Sequence, residues 1–188
     1  MTSHSIDTAH TQAAASSAAL DPGTSVGLLA LGVADLDRSL AYYTDAFGFE
    51  VLSREGTREG TRATLGAGGV PLLLLSEEEG ARPWPHDRYG YTGLYHFAIL
   101  VETRADLGRW LRHWLALGMP EPGQGDHLVS EALYLSDPDG NGIEIYRDRP
   151  RAEWQWDGDQ VRMAADPVDI AGLLAEAAST TEPWTGLA

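Results

Sequence analysis

The chain has 188 residues, 43% of them hydrophobic and 22% charged, with a formal net charge of −15 and no cysteine. That length suits one domain with tails, and the apolar fraction suffices for a core. The excess of negative charge, without a Lys or Arg run, argues against nucleic acid as a partner. The missing thiols exclude disulfides, thiolate metal sites and a cysteine nucleophile.

No apolar stretch reaches the roughly 18 residues of a membrane helix, so no membrane partner is expected. Residues 1–24 lack the basic stretch and apolar core of a secretory signal. They read as a disordered tail, and the cytoplasm is the expected location. Order should begin near Val26, where VGLLALGV reads as a buried strand. Asp35 follows as an N-cap. Leu36, Leu40, Tyr43 and Phe47 then recur at helical spacing, and Gly48 stops the helix. FEVLSRE, RATLG and VPLLLLS read as three strands, the last two joined by the turn AGG. EEEGARPWPHDRYGYTG has no period and reads as a long linker or lid loop.

The pattern then restarts. LYHFAILV reads as a strand, and RADLGRWLRHWLAL as an amphipathic helix with Leu107, Trp110, Leu111, Trp114 and Leu115 on one stripe. Gly118 ends that helix. LVSEALYL and IEIYRD read as strands around the turn SDPDGNG. Asp166 and Pro167 read as the N-cap and first residue of a last helix, with Val168, Ile170, Leu173 and Leu174 on its apolar face.

The restart is an internal repeat of two βαβββ units, 25–77 and 93–148. The expected fold class is α+β, with the paired units forming one curved mixed sheet and the helices outside. A domain over 25–148 is followed by an extension over 149–188. At an offset of 68, Leu28 falls on His96. Matching the turn glycines Gly68 and Gly140 gives an offset of 72, which places Leu72 on Glu144. Equivalent positions of paired units face one cleft, where ligands are expected. His96 and Glu144 are the candidate metal ligands, because a neutral imidazole and a carboxylate suit divalent iron, manganese or zinc. Two leucines occupy the matching positions, so half the expected donor set is absent.

DLDRSLAYYTDAFGFEV and LSDPDGNGIEIYRDRP resemble the vicinal-oxygen-chelate superfamily of glyoxalases, bleomycin-resistance proteins and extradiol dioxygenases. GLYHFAILV, GDHLVSEALYLSDPDGNGIEIYRDRPRAEW and DPVDIAGLL resemble, more narrowly, the N-terminal half of bacterial two-domain catechol 2,3-dioxygenases. The resemblance covers about residues 26–175. It implies extradiol cleavage of a catecholic ring at Fe(II), with Mn(II) or Zn(II) as alternatives. It implies His96 and Glu144 as ligands, whereas Leu28 and Leu72 depart from the family's His and carboxylate. In two-domain relatives the N-terminal module is a degenerate copy, so a non-catalytic binding or structural module, with no metal, is the alternative. The partners implied are a small aromatic ligand and either a second copy or a second module of the same fold.

Strand alternation groups His127, Val129, Glu131, Leu133 and Leu135 on one face and Tyr134 on the other. His127 is a candidate third ligand or general base, and Tyr134 a candidate hydrogen-bond donor to substrate. His113 reads as a surface residue, His4 and His10 as tail residues, and His86 as a candidate for the cleft entrance. Trp154 and Trp156 alternate as on a strand and read as cover for the domain edge or a partner module.

Overall fold

The computed structural model describes residues 21, 23–24, 27–58, 60–85, 91–178 and 184–186. Residues 1–20 and 22 of the expected N-terminal tail, and His86, lie outside them. The first unit comprises β1 (Leu29–Val33), α1 (Leu36–Phe47), β2 (Glu50–Thr57), β3 (Gly60–Ala67) and β4 (Val70–Glu77). The second comprises β5 (Phe97–Leu100), α2 (Arg104–Ala116), β6 (Gly123–Asp126), β7 (Ser130–Ser136) and β8 (Gly142–Asp148). A 3-10 turn (Arg151–Glu153), a short hairpin of β9 (Trp156–Asp157) and β10 (Gln160–Val161), and α3 (Ile170–Ala178) follow.

Each unit makes its own four-stranded mixed sheet. The orders are β1-β4-β3-β2 and β5-β8-β7-β6. In each, the first pair is parallel and the other two are antiparallel. The repeat is therefore present in topology as well as in element order, and the class is α+β with no closed barrel.

Alternation decides which sheet face is covered. Leu31, Val33, Leu65, Leu73, Leu75, Leu133, Ile143 and Ile145 point to the helices and are buried. They pack against Leu36, Leu40, Tyr43 and Phe47 of α1 and Leu107, Trp110, Leu111 and Trp114 of α2. Each such side chain contributes roughly 1.5–3 kcal/mol by leaving water. Phe47 stacks on Trp110 at 5.7 Å between centroids, and Trp110 on Trp114 at 5.4 Å. The indole N–H groups are satisfied: Trp110 donates to the Ala46 carbonyl at 2.9 Å and Trp114 to that of Pro120 at 2.6 Å. Leu115, expected on this stripe, is exposed instead.

Caps mark the helix ends. Asp35 accepts from the Arg38 amide, and Gly48 closes α1 at φ 70°. Thr103 and Asp106 form a capping box on α2. The third helix starts later than Asp166-Pro167 implies, because the backbone of Asp166 is bonded to that of Asp126. Val168 donates to Gln124, and Asp169 caps Gly172, so the helix opens at Ile170.

The turn between β7 and β8 clasps the two units together. Asp137 accepts from the amides of Asp139 and Asn141, the Asn141 side chain and the Tyr43 hydroxyl of α1. Asp139 accepts from Arg38 at 2.6 Å and from the Ala34 amide. Both carboxylates are buried. A third buried carboxylate, Glu131, is held by Arg104 and Arg147, and Arg104 also reaches Glu176 on α3.

Candidate functional site

The open face of the second sheet carries the candidate residues. Alternation buries Ile143 and Ile145 and turns Glu144 to the opposite face. His96 lies one residue before β5, alongside the start of β8. Its Nε2 is 2.8 Å from Glu144 Oε2. Only a glycine at 142 permits this approach: a Cβ there would sit 2.2 Å from the Tyr95 carbonyl and 3.1 Å from His96 Cβ.

Tyr134 stands opposite Glu144 across the β7–β8 pair. Its hydroxyl is 3.1 Å from Glu144 Oε1 and 2.7 Å from His127 Nε2. Alternation counted through residues 127–135 predicts His127 and Tyr134 on opposite faces, but the structure puts them on the same one. Strand β7 begins only at Ser130, and Leu128 takes φ 67°, which resets the alternation. His127 consequently joins Tyr134, while Glu131 stays among the arginines on the other face. Gly125 admits the two rings, since a Cβ there would meet them at 3.1 and 3.5 Å.

Four side chains thus form one hydrogen-bonded chain, His127–Tyr134–Glu144–His96. His96, His127 and Tyr134 line a cavity of about 490 Å³ with Tyr95, Gly125 and Ala165. Burial first, and the Glu144 charge second, push the Tyr134 phenol up to about 12. Tyr134 therefore keeps its proton at neutral pH and is a donor. The other ring nitrogen of His127 lies 2.7 Å from the Ala164 carbonyl.

The first unit offers no matching donors. In the parallel pairs, Ala98 faces Glu144 as Ala30 faces Leu74. The counterpart of Glu144 is Leu74, at an offset of 70, and not Leu72. Leu72 is the extra residue of a bulge in β4 and has no partner in the register of β3. The bulge adds one residue and an extra ladder pair adds another between the turn and Leu74, so aligning the turn glycines misplaces the counterpart by two residues. Leu28 remains the counterpart of His96 and is exposed, as is Leu72.

Among the described residues, no group of three or more His, Cys, Asp or Glu side chains is placed to hold a metal. The donors near the cleft fit a three-ligand metal centre poorly. His96 and Glu144 face each other, His127 Nε2 faces Tyr134, and the counterparts are Leu28 and Leu74. Of the remaining histidines, His113 lies at the surface, partly covered, its Nε2 2.6 Å from the Asp45 carbonyl. His4 and His10 lie outside the described residues. Only the second of the two tryptophans lies on a strand; their rings are 6.4 Å apart and Arg151 packs over both.

Residues 25–145 match the model of the Glyoxalase/Bleomycin resistance protein/Dioxygenase superfamily. The chain belongs to this superfamily. It is 47% identical over 160 residues to Catechol-2,3-dioxygenase of Bacillus subtilis, covering 82% of this chain and 52% of that protein. The chain thus spans about half the length of that relative. It is 31% identical over 116 residues to a Synechocystis protein named "Probable lactoylglutathione lyase", covering 60% of this chain and 87% of that one. Among solved structures, a glyoxylase/bleomycin resistance protein/dioxygenase domain from Frankia superposes with a TM-score of 0.58 at 23% identity. That match covers 67% of this chain and 98% of the other. Lactoylglutathione lyase from Agrobacterium tumefaciens superposes at 0.51 with 26% identity, over 68% and 96% of the two chains. These superpositions match the superfamily fold.

The glycines at 125 and 142, Ala164 and the left-handed Leu128 are not among the site residues that the sequence singles out. The glycines carried a signal, since each sits beside a candidate residue on a strand or turn. The contribution of Ala164 is a backbone carbonyl and leaves no trace in residue type.

Proposed function

We propose that this chain is a binding module of the catechol-2,3-dioxygenase type. Its cleft in the second unit takes a small hydroxylated aromatic ring, and the chain alone does not carry out metal-centred ring cleavage. The observation that carries this reading is the pair of leucines, Leu28 and Leu74, at the first-unit positions equivalent to His96 and Glu144. Two protein donors hold a divalent ion weakly, and extradiol chemistry needs two His and one carboxylate on one face. The cavity beside Tyr134 and His127 supports the ligand class: it has a phenol donor, an imidazole and an aromatic wall at Tyr95. The 47% identity to a catechol-2,3-dioxygenase favours a second reading, in which a further module or chain supplies the missing ligands.

Calorimetric titration of the purified chain with catechol and with phenol tests the proposal. Heat of binding is expected for both, with metal content well under one ion per chain and no yellow ring-cleavage product when Fe(II) is added. Ring cleavage by the isolated chain, lost on His96→Ala or Glu144→Ala, would establish the second reading instead.

A further inference from the structure

The C-terminal extension does more than trail from the domain. Residues 162–166 run past the cleft, and Ala165 forms part of its wall. This strap is tied at both ends. The Arg162 amide donates to the Gln155 carbonyl at 2.8 Å. Asp166 and Asp126 exchange two backbone hydrogen bonds, at 2.7 and 3.0 Å. Between the ties, the Ala164 carbonyl meets His127 Nδ1 at 2.7 Å.

A carbonyl can only accept, so the ring nitrogen facing it carries the proton. With one proton on Nδ1, Nε2 of a neutral imidazole is a lone pair. That lone pair faces the Tyr134 hydroxyl at 2.7 Å, closer than Glu144 Oε1 at 3.1 Å. The turn holding the ring is strained as well as tied. Leu128 is the non-glycine residue with positive φ among those described, its amide bonded to Asp126 Oδ1, and Asp126 Oδ2 is held by Arg149 at 2.6 Å. A left-handed leucine is strained and persists only where its surroundings impose it. Here the strain lies next to the imidazole that it aims.

We propose that residues 162–166 are a positioning strap for the cleft. The Ala164 carbonyl fixes His127 in the Nδ1–H form, so Nε2 and Glu144 Oε1 both face the single Tyr134 proton as acceptors, and the Tyr134 oxygen is left to accept a hydroxyl of the ligand. The second half of this rests on the hydroxylated-ring reading above; the first half does not. His127 and the strap act through Tyr134 and are positioning residues. Without the strap, the ring is free to carry its proton on Nε2, which then competes as a donor for the oxygen that the ligand needs.

Nitrogen-15 NMR of histidine-labelled full chain tests both halves, with the His127 signal assigned by its loss in His127→Gln. The expected spectrum shows His127 protonated on Nδ1 and bare on Nε2. Asp166→Pro removes one tie to Asp126, and inserting two glycines after Met163 displaces the carbonyl without touching either tie. Each is expected to lose the Nδ1–H form and to bind phenol about fivefold more weakly, the scale of one hydrogen bond. An Nδ1–H form that survives in the folded variants, or an Nε2–H form in the unaltered chain, overturns the proposal. If phenol binds nowhere while the Nδ1–H form is present and strap-dependent, the positioning role stands and the hydroxylated-ring reading fails.

Discussion

At the scale of single residues, Tyr134 is the hinge of the site, and its protonation has a consequence for stability. Its folded pKa is raised from 10.0 to about 12, mainly by burial and then by Glu144. A tyrosine whose proton is held more tightly when folded contributes stability that is fully present below the unfolded value. That contribution declines as pH rises from about 10 to about 12. Tyr134→Phe removes it. The drop in urea midpoint between about pH 9 and about pH 11.5 should therefore be smaller in Tyr134→Phe than in the unaltered chain. Equal drops would show that Glu144 and burial do not hold this proton. The same residue shows where reading side chains from periodicity fails. Residue types at 127–135 carry no mark of the left-handed turn at Leu128. One non-extended residue flips every assignment upstream of it.

At the scale of elements, the helices were the most legible, because their apolar spacing is repeated over three turns and their ends carry Asp35, Gly48 and Gly118. Strand β6, with the sequence GQGD, was not legible. It has no apolar alternation, and it exists because Gly123 to Asp126 pair with Tyr134 to Glu131 of β7. The DPDGNG segment is a turn, as its residue types predict, but it has a second task. Asp137 satisfies four donors, one of them the Tyr43 hydroxyl in the other unit. Asp137→Ala leaves these groups unpaired in a buried place. It is expected to lower unfolding stability by about 2–4 kcal/mol, a large share of a typical domain's total. Urea denaturation followed by tryptophan fluorescence measures this directly. A loss below about 1 kcal/mol would mean that the clasp is made elsewhere.

At the scale of the whole molecule, the repeat made the architecture legible, since two copies of one element order constrain each other. The site was half legible for the same reason. His96 and Glu144 are legible by position, but the bulge at Leu72 and an extra ladder pair put the counterpart at Leu74, and only the strand register reveals it. Several large apolar side chains of the two half-covered units stay exposed. Leu28, Leu52, Val70, Leu72 and Leu100 are all exposed on strands or at their edges. Surfaces of this kind in a folded chain mark interaction sites. A second copy of the chain is the expected cover. The formal charge of −15 opposes that pairing through long-range repulsion, which falls off over about 10 Å at 0.1 M salt. Self-association should therefore strengthen with added salt, the reverse of an interface held by surface ion pairs. Sedimentation of the unaltered chain across a concentration and salt series is expected to show a mass rising above that of one chain. Leu28→Glu and Leu100→Glu should each hold it at one chain, because each places a charge on the apolar face. A single-chain mass at every concentration and salt would leave that face without a partner copy.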